Sequence, residues 1–277
     1  MRLGGPILHG GKLDPEQWVR AHAERRYSAA YLPDFDNAAL IQDYVREASK
    51  ANLFIAEVGA WSNPLSADPE TRERAIRFCK KKLEAAELAG ARCCVNISGS
   101  RGAQWDGHDP ANLTDDTFTL IVDTVRAIID HVQPERTYYA LEMMQWMYPD
   151  SVESYVRLIE AIDRRAFAVH LDPVNLIASP QLYYGNSALI EHCFTKLGPH
   201  IRSCHAKDIT MSQQMTVHLD ETRPGLGGLD YAQYVRQLGK LHPDMPLMLE
   251  HLESETEYQL AASYIRSVAE EVGVQIQ

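Results

Sequence analysis

Residues 138–143 read YYALEM, residues 150–162 read DSVESYVRLIEAI, and residues 166–172 read AFAVHLD. The first and third are short apolar runs, and each carries an acid near its carboxyl end, Glu142 and Asp172. Between them lies a longer amphipathic stretch opened by Asp150, a residue type that satisfies the free amides at a helix start. The unit reads strand, helix, strand, with an acid presented at the end of each strand.

Working outward, the same unit recurs along the whole chain. Strands are predicted at 4–8, 28–32, 53–58, 92–97, 138–143, 166–171, 201–206 and 246–251. Helices are predicted to start near Asp14, Asn37, Asp68, Asp115, Asp150, Asn186, Asp230 and Ser254. Within 71–89, Ala75, Ile76, Phe78, Cys79, Leu83, Ala86 and Leu88 fall on one helical face, with charges opposite. The runs at 53–55 and 95–97 show little alternation, as in strands covered on both faces of a parallel sheet. Repeated strand–helix units in 277 residues fit an α/β protein of the (β/α)8 TIM barrel type, a single domain over 1–277, since such barrels need roughly 250 residues. A doubly wound open sheet would usually carry a GxGxxG turn directly after a strand. The nearest match, Gly225-Leu226-Gly227-Gly228, follows no strand directly.

Composition narrows the function classes. Lys and Arg total 27 against 38 Asp and Glu, a formal charge of −11, which opposes nucleic acid and anionic membranes as partners. The basic runs Lys80-Lys81-Lys82 and Arg164-Arg165 fall in or beside predicted helices and read as solvated faces. No apolar run reaches the roughly 18 residues of a membrane span, and the amino terminus lacks the apolar core of a signal peptide. The cysteines, 5 in number, form no CxxC pair. Reduced thiols in a cytoplasmic protein are expected.

Barrel active sites lie at the carboxyl ends of the strands. There the fifth to eighth predicted strands deliver Glu142, Asp172, His205 and Glu250 to one rim. Carboxylates brought together repel and raise one another's pKa unless a cation joins them. Carboxylate oxygens plus one imidazole nitrogen suit one divalent metal ion, Mn2+, Mg2+ or Co2+. Zinc would usually recruit more His or Cys.

Several motifs carry a family resemblance: AEVGAW (56–61), NISGSRG (96–102), the Leu171-Asp172 pair, HAKD (205–208), RPGLG (223–227) and LEH (249–251). Across essentially the whole chain the sequence resembles the xylose-isomerase-like barrels, a group of sugar isomerases and epimerases. The resemblance implies that Glu142, Asp172, His205 and Glu250 hold the metal. It also implies that Glu142 and Glu250 serve as acid and base on opposite faces of an enediolate. The sequence departs from the ketose 3-epimerases at Asn175, where they carry His, and at Tyr148, where they carry Glu. Their substrate pocket is therefore expected to be rebuilt here. A lyase outcome stays open, either inosose dehydratase-like or like the catalytic subunits that cleave C-glycosides. A non-catalytic sugar-binding barrel and an endonuclease-type relative are the remaining alternatives, the latter opposed by the acidic charge.

Further residues are expected at the substrate. Trp61, after the third strand, can stack on a sugar ring, as can Trp105 and Trp146. Asn96 can hydrogen-bond a hydroxyl or serve as a buried structural amide. Arg101 and Arg223 offer planar forks for an anion or vicinal oxygens. Asn175, Lys207 and Asp208 flank the ligand positions. The partner expected is a small sugar or polyol. Assembly as a dimer or tetramer, or with a small partner subunit, is left open.

Overall fold

The computed structural model describes residues 1–34 and 37–277. Eight parallel strands close into a barrel: β1 (Arg2–Gly4), β2 (Ala29–Tyr31), β3 (Phe54–Gly59), β4 (Cys93–Asn96), β5 (Tyr139–Glu142), β6 (Phe167–Leu171), β7 (Ile201–Ala206) and β10 (Pro246–Leu249). The neighbours around the ring run β1-β10-β7-β6-β5-β4-β3-β2. The strands at either end of the chain, β1 and β10, pair with each other and seal the barrel. An antiparallel hairpin, β8 (Asp208–Met211) with β9 (Leu219–Thr222), rises from the end of β7.

Outside the ring lie α1 (Pro15–Glu24), α2 (Ala38–Lys50), α3 (Pro69–Ala89), α4 (Asp115–Val132), α5 (Val152–Ile162), α6 (Pro180–Tyr184), α7 (Asn186–Leu197), α8 (Tyr231–Leu238) and α9 (Glu255–Glu271). Asp14, Asn37, Asp68, Asp230 and Ser254 cap their helices through their side chains, as the sequence predicts. Three starts move by one residue. Thr114 caps α4 and leaves Asp115 in the first turn, where a negative charge suits the helix dipole. Ser151, not Asp150, caps α5 by accepting from the Ser154 amide. Gly185 precedes α7 without a side-chain cap. The short α6 and the β8–β9 hairpin were not anticipated.

The first strand also lies earlier than predicted, because Gly4 marks its end rather than its start. Gly4 pairs with Ala29, and a Cβ there would sit 2.4 Å from the Ala29 carbonyl oxygen. Only glycine lets β1 and β2 approach this closely.

Two cores result. The larger fills the shell between strands and helices, with Leu3, Leu83, Ile128, Leu141, Leu171 and Leu249 among its members. Inside the ring, Cys93, Val95, Ala140 and Ala168 form a small separate cluster, and Ala29, Ala56 and Met248 form another. Because side chains alternate along a strand, these inward residues fix which neighbours reach the mouth. Among the described residues no helix is long and apolar enough to cross a membrane.

Candidate active site

Ala140 of β5 faces inward, so Glu142 two residues on does too. Ala168 of β6 likewise sets His170 and Asp172 inward, and Met248 of β10 sets Glu250 inward. Ser203, His205 and Lys207 follow the same alternation from β7. One ligand atom from each of Glu142, Asp172, His205 and Glu250 falls within a cluster whose members all lie within 4.8 Å of one another. His205 Nδ1 is 2.8 Å from Glu250 Oε1 and 3.2 Å from Glu142 Oε1. Asn175 Nδ2 donates to Glu142 Oε1 at 3.0 Å.

Lys207 supplies the balancing charge. Its Nζ lies 2.7 Å from Glu250 Oε1, 3.1 Å from Asp172 Oδ2 and 3.7 Å from Glu221 Oε2. Burial works against its charge, but the surrounding carboxylates outweigh burial and hold the ammonium protonated far above its ordinary range. Burial would likewise discharge His205, yet Glu250, Glu142 and Glu57 push its pKa well above the usual imidazole value. For Glu250, burial favours the neutral acid, and the cations of His205 and Lys207 reverse that and hold it ionised.

The residues suit a divalent cation by their chemistry. Asp172 Oδ2 and Glu250 Oε1 are buried, and the charges that meet them are the Lys207 ammonium and, at Glu250, His205. One ammonium offsets only part of the charge of three clustered carboxylates, and the surplus suits a further cation. Three hard oxygens and one nitrogen can supply such an ion with its protein ligands.

Below this cluster lies a residue the sequence reading did not place in the site. Glu57 of β3 is fully buried. Its Oε1 is 3.0 Å from His170 Nε2 and accepts from the Ser203 hydroxyl, and its Oε2 is 3.4 Å from His205 Nε2. Burial alone would neutralise Glu57, but His170 and His205 hold it ionised, far below the usual carboxylate range. A register shift against β2 lets Tyr31 pair with Glu57 while Ala30 pairs with Ile55, so Ala56 is the extra residue of a bulge. The bulge turns Glu57 inward next to Ala56. The available signal was an acid inside the apolar run 54–58, which demands a buried partner.

A cavity of about 640 Å³ opens over the cluster. Trp61, Asn175 and Lys207, singled out in the sequence, line it, together with Trp105 and Trp146. Tyr31, Glu221, His251 and Tyr258 also line it and were not foreseen. Glu221 arrives on the unanticipated hairpin and sits 3.2 Å from His251 Nδ1.

The other four expected substrate contacts do not line the cavity, and each has a physical reason. Asn96 pairs in register with outward-facing Leu141. Its side chain therefore points to the helix shell, where it accepts from the Ser62 amide and donates to the Ser62 carbonyl. Arg101 donates to the Leu65 carbonyl at 2.7 Å and so ties two loops. Arg223 pairs with Glu257 of α9 at 2.8 Å. Asp208 accepts from the amides of Gly225, Gly227 and Leu229, which folds the 223–229 loop around its carboxylate. A Cβ on Gly227 would lie 2.2 Å from Asp208 Oδ1, so that loop requires glycine.

A family model described as a xylose isomerase-like TIM barrel matches residues 19–268. The chain belongs to this family. No curated protein matches the sequence. Among similar solved structures is 3-keto-D-glucoside 4-epimerase from E. coli, 14% identical with a TM-score of 0.70, covering 96% of this chain and 99% of that one. The probable 3-DHS dehydratase of Bacillus anthracis is 14% identical with a TM-score of 0.69, covering 97% and 98%. Endonuclease IV from Thermus thermophilus is 14% identical with a TM-score of 0.73, covering 98% and 100%. An epimerase, a dehydratase and an endonuclease share this xylose isomerase-like fold. The likeness therefore establishes the fold, and the chemistry has to be argued from the site.

Proposed function

We propose that this xylose isomerase-like barrel is a divalent-metal-dependent sugar isomerase or epimerase that removes the proton beside a carbonyl. The observation that carries the reading is the placement of two glutamates on either side of His205. Glu142 comes from β5 and Glu250 follows β10, with β6 and β7 between those strands in the ring. Both approach one imidazole nitrogen within 3.2 Å. Two carboxylates that reach a common point from different strands can take a proton from one side of a carbon and return it from the other.

Glu142, Asp172, His205 and Glu250 would hold Mn2+, Mg2+ or Co2+. When bound, such an ion polarises carbonyl and hydroxyl oxygens and lowers the cost of the negative charge that develops as the proton leaves. Asn175 holds the Glu142 carboxylate through Oε1, which leaves Oε2 to work on the substrate. Lys207 keeps Glu250 ionised, hence able to accept a proton, and its ammonium can donate to a substrate oxygen. Glu57 below His205 fixes the ring from its Nε2 side and leaves Nδ1 facing the mouth. The acid-lined mouth and the charge of −11 argue against a nucleic-acid substrate.

A lyase is the second reading, and one observation favours it. Tyr148, the position where ketose 3-epimerases carry Glu, turns away to donate to the Leu113 carbonyl and to pack on Phe118. Tyr148 therefore supplies no carboxylate to the pocket where that Glu would, while Glu142 and Glu250 remain. The same carbanion could then expel a leaving group.

Proton NMR in D2O, with Mg2+-loaded protein and a panel of ketoses, inososes and 3-keto-glycosides, tests both readings. The expected result is loss of one C–H signal that stops with a chelator, with the product separating epimer from elimination. Exchange that continues under chelation, or no exchange on any panel member, would overturn the proposal.

A further inference from the structure

The chemistry above leaves three tryptophans without a role. Trp61, Trp105 and Trp146 are 42%, 39% and 37% exposed, whereas Trp18, the remaining one, is 4% exposed in the core. All three exposed indoles line the cavity that also holds Glu142, His205 and Glu250. They follow β3, β4 and β5, which are consecutive in the ring. They therefore occupy one arc of the mouth, and the acids and cations from β5 to β10 occupy the other.

Hydrogen bonds hold the segments that carry Trp105 and Trp146, and the Trp146 indole itself. Trp61 lies over Gly59, where a Cβ would come 2.5 Å from its Nε1. Trp146 Nε1 donates to the Asp106 carbonyl at 2.8 Å. The buried Asn112 amide donates to the carbonyls of Gly107 and Trp146 at 3.0 and 3.2 Å, locking two loops together. The Trp105 carbonyl accepts from the Ser100 amide at 3.0 Å. Rigid, exposed aromatic faces bind with little ordering cost.

Size adds a second argument. A cavity of about 640 Å³ lies in the range of roughly 300–1,000 Å³ that encloses drug-sized ligands. A lone polyol ring held at the charged arc would leave the indole arc against water. We propose that Trp61, Trp105 and Trp146 form a second ring subsite, so that the substrate is a polyol ring joined to a second flat-faced ring, a glycoside rather than a free monosaccharide. The inference rests on the sugar-proton reading above for the first ring only. An aryl ring and the C–H face of a second sugar both present the flat apolar surface that stacks on indole. Asp106 also lines the cavity, which selects against an anionic second ring.

The test is calorimetric titration of Mg2+-loaded full-length protein with methyl β-D-glucoside, phenyl β-D-glucoside and cellobiose, repeated on W105A, W146A and W105F. Wild type is expected to bind the phenyl glucoside or cellobiose roughly 5- to 10-fold more tightly than the methyl glucoside. Whichever of the two gains names the second ring as aryl or sugar. W105A and W146A should lose the preference and W105F should keep most of it, with circular dichroism confirming the fold. Equal affinity for all three probes, absence of binding to all three included, overturns the inference, as does a preference that survives in both alanine variants. The outcomes separate from the reaction test. A ring preference without metal-dependent C–H exchange sinks the reaction and keeps the subsite. Exchange without a ring preference sinks the subsite alone.

Discussion

The two arcs of the barrel mouth are built by different means. On the charged arc, Glu142, Asp172, His205, Lys207 and Glu250 sit on strands or within two residues of a strand end. Their direction is set by strand alternation and by small inward residues such as Ala140 and Ala168. On the other arc, Trp105 and Trp146 sit on loops whose shape depends on buried amides and carbonyls far away in sequence. A strand positions a side chain by local geometry, whereas a loop positions one only after the whole barrel has closed. If the proposed reaction holds, its chemistry resides in the strand-built arc and substrate choice in the loop-built one.

The comparison can be broken from the charged side first. Glu142→Gln or Glu250→Gln should reduce C–H exchange on the order of 10²–10⁴-fold, the range of general acid–base assistance. Circular dichroism should be unchanged. Exchange retained within a few-fold in both variants would remove the acid–base assignment.

Next in size is the floor beneath that arc. Glu57→Ala would strip buried His170 and His205 of their shared carboxylate. A broken buried charge pair costs about 3–5 kcal/mol, so thermal or urea unfolding should show a large loss. Glu57→Gln keeps the volume and should instead weaken Mg2+ binding by about 10- to 100-fold, the usual effect of removing a partner behind a metal-binding His. Full stability in the alanine variant would show that the floor does not support the cluster.

A smaller effect should come from metal itself. Mg2+ at about 100 times its dissociation constant should stabilise wild type by about 2.7 kcal/mol. The shift should vanish with a chelator and in Asp172→Asn, and it should persist in Trp105→Ala if the arcs are independent. The smallest effect belongs to the indole arc. Asn112→Ala should cost about 1–3 kcal/mol, since it leaves the Gly107 and Trp146 carbonyls and the Arg101 amide without their buried partner. Metal affinity should stay unchanged in that variant. A drop in both would couple the two arcs and break the comparison.

Legibility in the sequence follows the same division. The strand runs, the helix starts and the convergence of Glu142, Asp172, His205 and Glu250 at the strand ends could be read because each depends on residues a few positions apart. Asn96 shows the limit of that reading. It ends a strand as Glu142 does, but its register with Leu141 turns it to the helix shell, and register is a property of two strands. Arg223 and Asp208 occupy a motif recognisable in sequence, yet their charges are absorbed by Glu257 and by the amides of their own loop. Glu57 was visible as an acid in an apolar run, but its inward turn comes from the Ala56 bulge.

By itself, then, the sequence determined the alternation of strands and helices and the acids and imidazole offered at the strand ends, because period, caps and apolar runs are local. Only the tertiary structure decided that Lys207 sits among the carboxylates and that Glu57 lies beneath His205. It also decided that three indoles face the cluster across one cavity. Those relations join β3 to β7 and loops some 40 residues apart, as Trp146 to Asp106, and closure of the ring is what brings them within contact distance.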